Sequence, residues 1–409
     1  MTMPSAALTD PPPRTRSLVC LMLAQVAAMS TWFATTASLT AIRQGWTLTP
    51  FHEGLLTSSV QAGFVAGTLT SALLSAADRY DLRRLFATSA AIAGIANLLI
   101  ALFEPTDAAI PLLRFATGFC LAGVYPVGMK IASTWAKGDL GLLIGLLVGA
   151  VTLGSAAPHL FATAGLDWRL PAIAAGASAI LGAVLIRWAE IGPNRGPAPP
   201  FRLANAFDAF RSPSVRLANF GYFGHMWELY AMWTWVGSFL VASFALRYGS
   251  TPPVSAGVVT FLIVASGALG CLIGGWAADR IGRTAVTIAS LVVSGACALV
   301  IGFAFGGPAW IIVVIGIVWG LTVVSDSAQF SASVTELSDR SLVGTMLTVQ
   351  TCIGFLLTLL TIHLMPYAVA LLGWTYAFTI LAIGPAFGVW AMARLRARPE
   401  SVRIAGGRR

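Results

Sequence analysis

Four charged side chains interrupt otherwise apolar stretches of this chain: Arg114, Lys130, Glu228 and Asp326. An ionisable group inside a long apolar run is costly to keep there, so it is read first as functional. A carboxylate held out of water can take up and release a proton, which makes Glu228 and Asp326 candidate proton carriers. Arg114 presents a planar fork of donors, more than one carboxylate uses, and would attract an anionic group on a small solute. His225, three residues before Glu228, could tune that carboxylate or pass a proton to it. The competing reading is that Glu228 and Arg114 form a buried ion pair that only joins helices.

Spacing places further polar and aromatic residues beside these charges. At 100° per residue, Trp319, Thr322, Asp326, Gln329 and Ser333 share an arc of about 80° on one helix. Tyr222, His225, Glu228, Met232 and Trp235 fall within about 140° on another. Gln25, Met29, Trp32 and Thr36 form a similar stripe near the N-terminus, and Tyr125 lies nearly three turns from Arg114 on a shared face. Gln25, Trp32, Arg114, Tyr125, Tyr222, His225, Trp235 and Gln329 are therefore the candidate solute contacts. Aromatics at such positions are more often packing residues. Lys130 lies close to Trp135 and is read as snorkelling to an interface.

The elements that must hold these residues are membrane helices. Of 409 residues, 57% are hydrophobic and only 10% charged, against about 25% charged in soluble domains. That excludes a soluble globular or disordered chain. Twelve spans are expected, at about 17–41, 52–76, 85–103, 110–134, 140–163, 169–189, 214–243, 253–278, 285–305, 308–334, 341–364 and 367–393. Backbone satisfaction in lipid makes them helices, because they are too long and continuous for barrel strands. The first is longer than the apolar core of a signal peptide, and more spans follow it. The cysteines Cys20, Cys120, Cys271, Cys297 and Cys352 lack metal or disulfide spacing and read as small core residues.

The net charge of +9 has a topological explanation. Twenty of the 25 Lys and Arg fall in loops and tails on one side, while Arg43, Arg169 and Arg247 lie on the other. Both termini are then expected in the cytoplasm, with the chain in the inner (plasma) membrane. Nucleic acid is not needed to explain the basic surplus.

A Pro- and Gly-rich connection, about 190–213, divides the chain into bundles at 17–189 and 214–393, with tails at 1–16 and 394–409. An internal repeat supports two halves. Ala77-Asp78-Arg79-Tyr80-Asp81-Leu82-Arg83-Arg84 follows the second span, and Ala278-Asp279-Arg280-Ile281-Gly282-Arg283 follows the eighth. With Gly275, the second copy resembles the G-x-x-x-D-R-x-G-R loop signature of the major facilitator superfamily. The first copy departs from it, with Leu74 and Asp81 where glycines stand in the pattern. Arg114 and Gly118 resemble the family's R-x-x-x-G motif on the fourth helix. The stretch 221–233 is similar in texture to the cyanate- and nitrate-porter-like branches.

The resemblance implies twelve transmembrane helices in two six-helix bundles, an all-α integral membrane fold. It also implies that spans one, four, seven and ten line a central cavity, which is where the internal charges fall. It casts Asp78, Arg79, Gly275, Asp279, Arg280 and Arg283 as a conformational latch, against the plain reading that these charges only set topology. An Asp beside a helix N-terminus and Arg beside carboxylates would give the latch its energy. Gly141, Gly145 and Gly149, and Gly270 with Gly274, form small-residue stripes that let helices approach closely. The resemblance places both stripes where spans five and eight slide across the halves. Pro158 roughly matches the family's gating-helix Pro, while the glycines around it depart from that pattern.

The leading expectation is a proton-coupled secondary transporter of a small solute, anionic where Arg114 would attract it, working by alternating access. The alternative is efflux of drugs or metabolites, and a more distant one is a membrane sensor or scaffold. No HExxH, GxSxG or Walker-type loop is present, so an enzyme is not expected. Neither cofactor nor metal is expected, and the partners are lipid, solute and protons, with the chain a monomer.

Overall fold

The computed structural model describes residues 14–137, 139–164, 167–194, 201 and 203–408. Thirteen N-terminal residues, Arg409, and the part of the central connection holding Arg195, Pro197 and Arg202 lie outside the described residues. The described residues form helices joined by turns and loops, with no strand among them. Ten stretches are long and apolar enough to cross a membrane. The last, at 343–396, is two helices, because Gly373 takes φ 67° and ψ 171° between them. Pro50–Leu73 is also long enough, at 24 residues, and is more polar. The arrangement therefore accommodates the twelve expected spans.

Two boundaries differ from expectation. Span eleven continues through Pro366 to Gly373, although Pro366 was the expected break. A Pro inside a membrane helix is tolerated when neighbouring groups satisfy the freed carbonyl, whereas a positive φ at Gly373 turns the chain outright. Span seven, Pro213–Tyr248, has 36 residues and reaches about 54 Å, well past the bilayer core.

Three spans are interrupted near their middles. Span one is Arg14–Met29 and Ala34–Gly45, span four is Ala109–Leu121 and Tyr125–Ser133, and span ten is Ala309–Ser325 and Ser327–Leu337. Each break frees carbonyls that other groups must satisfy. The remaining spans are three (Leu82–Ile100), five (Leu140–Phe161), six (Leu170–Leu185), eight (Ala256–Ile281), nine (Arg283–Val300) and twelve, which ends with Ile383–Arg396.

The two loop signatures start their helices differently, which accounts for the departure in the first. Gly282 precedes span nine with φ 96°, a conformation that favours glycine. Asp81 precedes span three with φ −60°, and its carboxylate accepts the Arg84 N–H at 2.9 Å. One copy uses backbone freedom and the other a side-chain cap.

Spans one to six pack among themselves, as do seven to twelve, and the halves meet along spans five with eight and two with eleven. Gly145 and Gly149 face span eight at Cys271 and Ala268, as the stripe on span five leads one to expect. The stripe on span eight does not reciprocate. A Cβ on Gly270 would stand 1.9 Å from the Leu321 carbonyl oxygen, and one on Gly274 2.1 Å from that of Ser325. These glycines join span eight to span ten inside one half.

At the basic end, the chain after span twelve turns back on the bundle. Ile404 is fully buried, and the Ala405 N–H donates to Glu336 at 2.9 Å. The Arg408 guanidinium donates to the Asp279 carbonyl.

Candidate functional site

A cavity of about 370 Å³ lies between the halves toward the basic end, where it meets Gly275, Asp279, Arg283 and Glu336. A smaller chamber of about 60 Å³ continues it inward. Tyr125, Val148, Tyr222, Ser327 and Phe355 line both. Tyr125 enters because span four breaks just before it, and Ser327 because span ten breaks at Asp326.

The far end of the chamber is closed by aromatic rings from both halves. Trp32 of span one stands 5.1 Å from Phe64, 5.6 Å from Tyr230 and 5.6 Å from Phe355, centroid to centroid. Phe33 meets Trp233 edge-on at 5.9 Å. Tilted and edge-on pairs at this spacing contribute about 0.5–1.5 kcal/mol each beyond area burial. Beyond them, Ser58 and His363 are 2.9 Å apart across spans two and eleven.

The carboxylates of the C-terminal half sit behind the chamber wall. Asp326 occupies the break in span ten, and its Oδ1 lies 3.0 Å from His225 Nδ1. The other ring nitrogen, Nε2, is 3.1 Å from Ser327 Oγ, and Ser327 lines the cavity. The chain of groups therefore runs from the cavity through Ser327 and His225 to Asp326. Glu228 lies one helical turn along span seven. It accepts Trp319 Nε1–H at 2.7 Å and Ser294 Oγ–H at 2.8 Å, and is 1% exposed.

Arg114 is not a cavity residue. Span one breaks at 30–33, and the guanidinium fills the resulting need for donors: Nη1 donates to the Thr31 carbonyl at 2.6 Å and to Asn97 Oδ1 at 3.1 Å, and Nη2 donates to the Trp32 carbonyl. It is fully buried in the N-terminal half and does not pair with Glu228, whose partners are Trp319 and Ser294. Trp235 is likewise remote from the chamber. It donates to the Ile362 carbonyl at 3.1 Å, beneath Arg43 on the opposite face. Gln25 is buried beside Gly128, and neither of its amide atoms has a hydrogen-bond partner among the described residues. Trp32, Tyr125, Tyr222 and Gln329 line the cavities, while His225 stands one contact behind.

The signature loops take distinct positions. Arg283 makes two hydrogen bonds to Glu336, at 3.0 and 2.8 Å, and a third to Gln329 at 2.8 Å. The Asp279 carboxylate faces Gly141, in the first turn of span five, across the halves. A helix N-terminus favours a negative charge there. Arg280 lies over its neighbour Trp276 at 4.0 Å, and Gly275 borders the cavity with open space at its Cβ position. In the first copy, Asp78 accepts from Lys130 Nζ at 2.5 Å, while Arg79 is exposed. Lys130 therefore does reach the basic end, where it bonds a loop carboxylate.

Several participants were invisible in the sequence. Ser327, Ser294 and Phe355 have no distinguishing pattern, and Glu336 reads as an ordinary end-of-span charge. Only tertiary packing brings them to these partners. No group of three metal-ligating side chains occurs among the described residues.

Comparison with known proteins agrees with this fold. The chain superimposes on a point mutant of the nucleoside transporter NupG with a TM-score of 0.70 at 15% identity, covering 93% of this chain and 98% of that one. It superimposes on a bacterial homologue of the human lysosomal transporter Spinster, in an inward-facing and unoccupied conformation, with a TM-score of 0.67 at 18% identity, covering 97% and 98%. No curated protein matches the sequence. The profile of the Major Facilitator Superfamily matches residues 21–325, three-quarters of the chain, and with that the protein belongs to the Major Facilitator Superfamily, as a multi-pass membrane transporter.

Proposed function

We propose that the protein moves a small solute by proton-coupled alternating access, and that Asp326 with His225 is the coupling pair. The observation that carries this reading is the continuous contact from the cavity-lining Ser327 through His225 to Asp326 at the break of span ten. A titratable pair at a helix break in the moving wall can link proton occupancy to the packing of that wall. Glu228 lies deeper, with both oxygens bonded inside the half, and serves as a second protonatable group on the same span.

The expectation of an anionic solute rested on Arg114, whose Nη1 and Nη2 donate to the Thr31 and Trp32 carbonyls and Asn97. The chamber instead presents rings, methionines and hydroxyls, among them Met29, Tyr125, Tyr222, Met226, Tyr230 and Ser327. That wall suits a neutral or amphipathic solute, and it favours the second reading, efflux of such compounds. The basic face is the cytoplasmic one, in the inner membrane, and the chain works as a monomer.

The test is solute and proton flux in proteoliposomes carrying an imposed pH gradient, with a panel spanning small anions, nucleosides and amphipathic amines. Proton movement that depends on one class, and is lost in Asp326→Asn and Glu228→Gln, supports the reading. Unchanged coupled flux in both variants defeats it.

A further inference from the structure

Beyond the aromatic layer, at the end opposite the basic one, a side chain of the C-terminal half is set into the N-terminal half. His363 of span eleven rests on span two, where Phe51, Gly54 and Ser58 share one helical face. Its Nε2 is 2.9 Å from Ser58 Oγ, and its ring is stacked on that of Phe51 at 5.0 Å. A Cβ on Gly54 would lie 2.4 Å from His363 Nδ1, so only glycine leaves room for the ring. Nδ1 itself is buried and has no hydrogen-bond partner among the described residues.

The adjoining residues form a second contact between the halves. Pro366 has no N–H for the Ile362 carbonyl four residues before it. Trp235 of span seven supplies the missing donor, its Nε1–H, at 3.1 Å. The Trp235 ring lies 5.9 Å from the guanidinium of Arg43, on span one. Arg43 in turn makes two hydrogen bonds to Glu53, at 2.6 and 2.7 Å, and Glu53 adjoins Gly54. Ile362 and His363 are thus fixed within their own half by Trp235, and Glu53 and Gly54 within the other by Arg43. The His363 ring and the contact of Arg43 with Trp235 bridge the two.

We infer that His363 is a positioning residue of the transport cycle: its ring, seated on span two, latches shut the end opposite the basic one and must leave that seat for the cavity to open there. The inference rests on the alternating-access part of the proposed function. One hydrogen bond, one ring contact and one unsatisfied nitrogen make a closure that reverses readily, because opening returns the ring nitrogens to water.

The experiment is backbone hydrogen exchange on purified full-length protein. It is read on segments 51–60 and 359–366 at the latched end, and on 141–148 and 328–336 at the open end. Gly54→Ala pushes the ring from its seat, a displacement that a side-chain end accommodates without moving backbone. Ser58→Ala removes the hydrogen bond, and His363→Leu removes the ring. Each should raise exchange at the latched end by about fivefold and lower it at the open end by about twofold, as molecules shift toward the opposite opening. Ser58→Ala, the smallest change, decides the matter if the other two do not fold. Unchanged exchange, or a rise at the latched end that no fall at the open end accompanies, would overturn the proposal and leave His363 a packing residue. The readout needs neither solute nor proton gradient. A latch that fails here therefore leaves the flux experiment on Asp326 and Glu228 to judge the proposed function by itself.

Discussion

His225 Nδ1 stands 3.0 Å from Asp326 Oδ1 across the contact of spans seven and ten, with each side chain 1% exposed. The contact is at ion-pair distance, and the other ring nitrogen, Nε2, lies 3.1 Å from Ser327 Oγ. His225 and Asp326 both belong to helices whose relative position must change if the half rearranges.

Asp326→Asn keeps the shape of the side chain and removes its charge. Proton-driven transport should fall at least tenfold, while solute exchange without a gradient persists. Parallel flux and counterflow assays in proteoliposomes make the comparison. Equal loss of both would point to a structural role.

Glu228 is an acceptor for two buried donors. Glu228→Leu leaves Trp319 Nε1–H unsatisfied, at about 1–3 kcal/mol, while Ser294 Oγ–H keeps only its 3.4 Å contact with the Leu291 carbonyl. Glu228→Gln retains a carbonyl oxygen and should cost less. Thermal unfolding in detergent should rank wild type above Gln above Leu, and Trp319 fluorescence should shift in both variants.

Arg114→Lys replaces a fork with a single ammonium. It cannot serve the Thr31 and Trp32 carbonyls and Asn97 together with the same geometry, so stability should drop by about 2 kcal/mol. Folding yield and unfolding midpoint should fall, while the KM of the variant that does fold stays within about twofold. A tenfold rise in KM would restore Arg114 to the solute site.

Glycines in the two stripes should respond oppositely to a methyl group. Gly145→Ala gains an ordinary contact at 3.6 Å from the Cys271 carbonyl oxygen and should stay within about 0.5 kcal/mol of wild type. Gly270→Ala drives Cβ against the Leu321 backbone and should cost about 1–3 kcal/mol through overpacking. Unfolding midpoints of the two variants are the measurement.

Asp139, in the loop before span five, is held below its ordinary value of 3.8 first by the Arg14 guanidinium and then by the Lys137 backbone N–H. A lowered folded-state value means that the contribution is present above 3.8 and is lost as pH falls through the folded value. Asp139→Asn should therefore remove part of the stability decline seen on acidification below pH 4. Midpoints recorded from pH 6 to pH 3 would show the flatter curve.

The membrane fold was legible because lipid enforces it locally: long apolar runs, loop charges and the repeated Asp-Arg loop each carry the signal within a few residues. The carboxylates were legible for the same reason, since a charge in an apolar run stands out. Partners were not. Arg114 looked free because the donors it must satisfy are carbonyls exposed by the break in span one, and no residue type at 30–33 announces that break. The glycine stripe on span eight was read as facing span five, because spacing reports closeness and says nothing of direction. Trp235 was assigned to the solute by a helical arc, but span seven is long enough to carry that arc past the chamber to the other face.

The segment after span twelve touches Glu336 through its backbone and the Asp279 carbonyl through Arg408. Those are the partners of the signature arginine and the signature aspartate's own backbone. Residues up to Arg408 are thus masonry of the cavity mouth at the basic end, and a nick near Arg398 would loosen contacts that hold spans eight and ten there. Purification handles are better placed at the other end of the chain, since one added here would sit against Glu336 and Asp279.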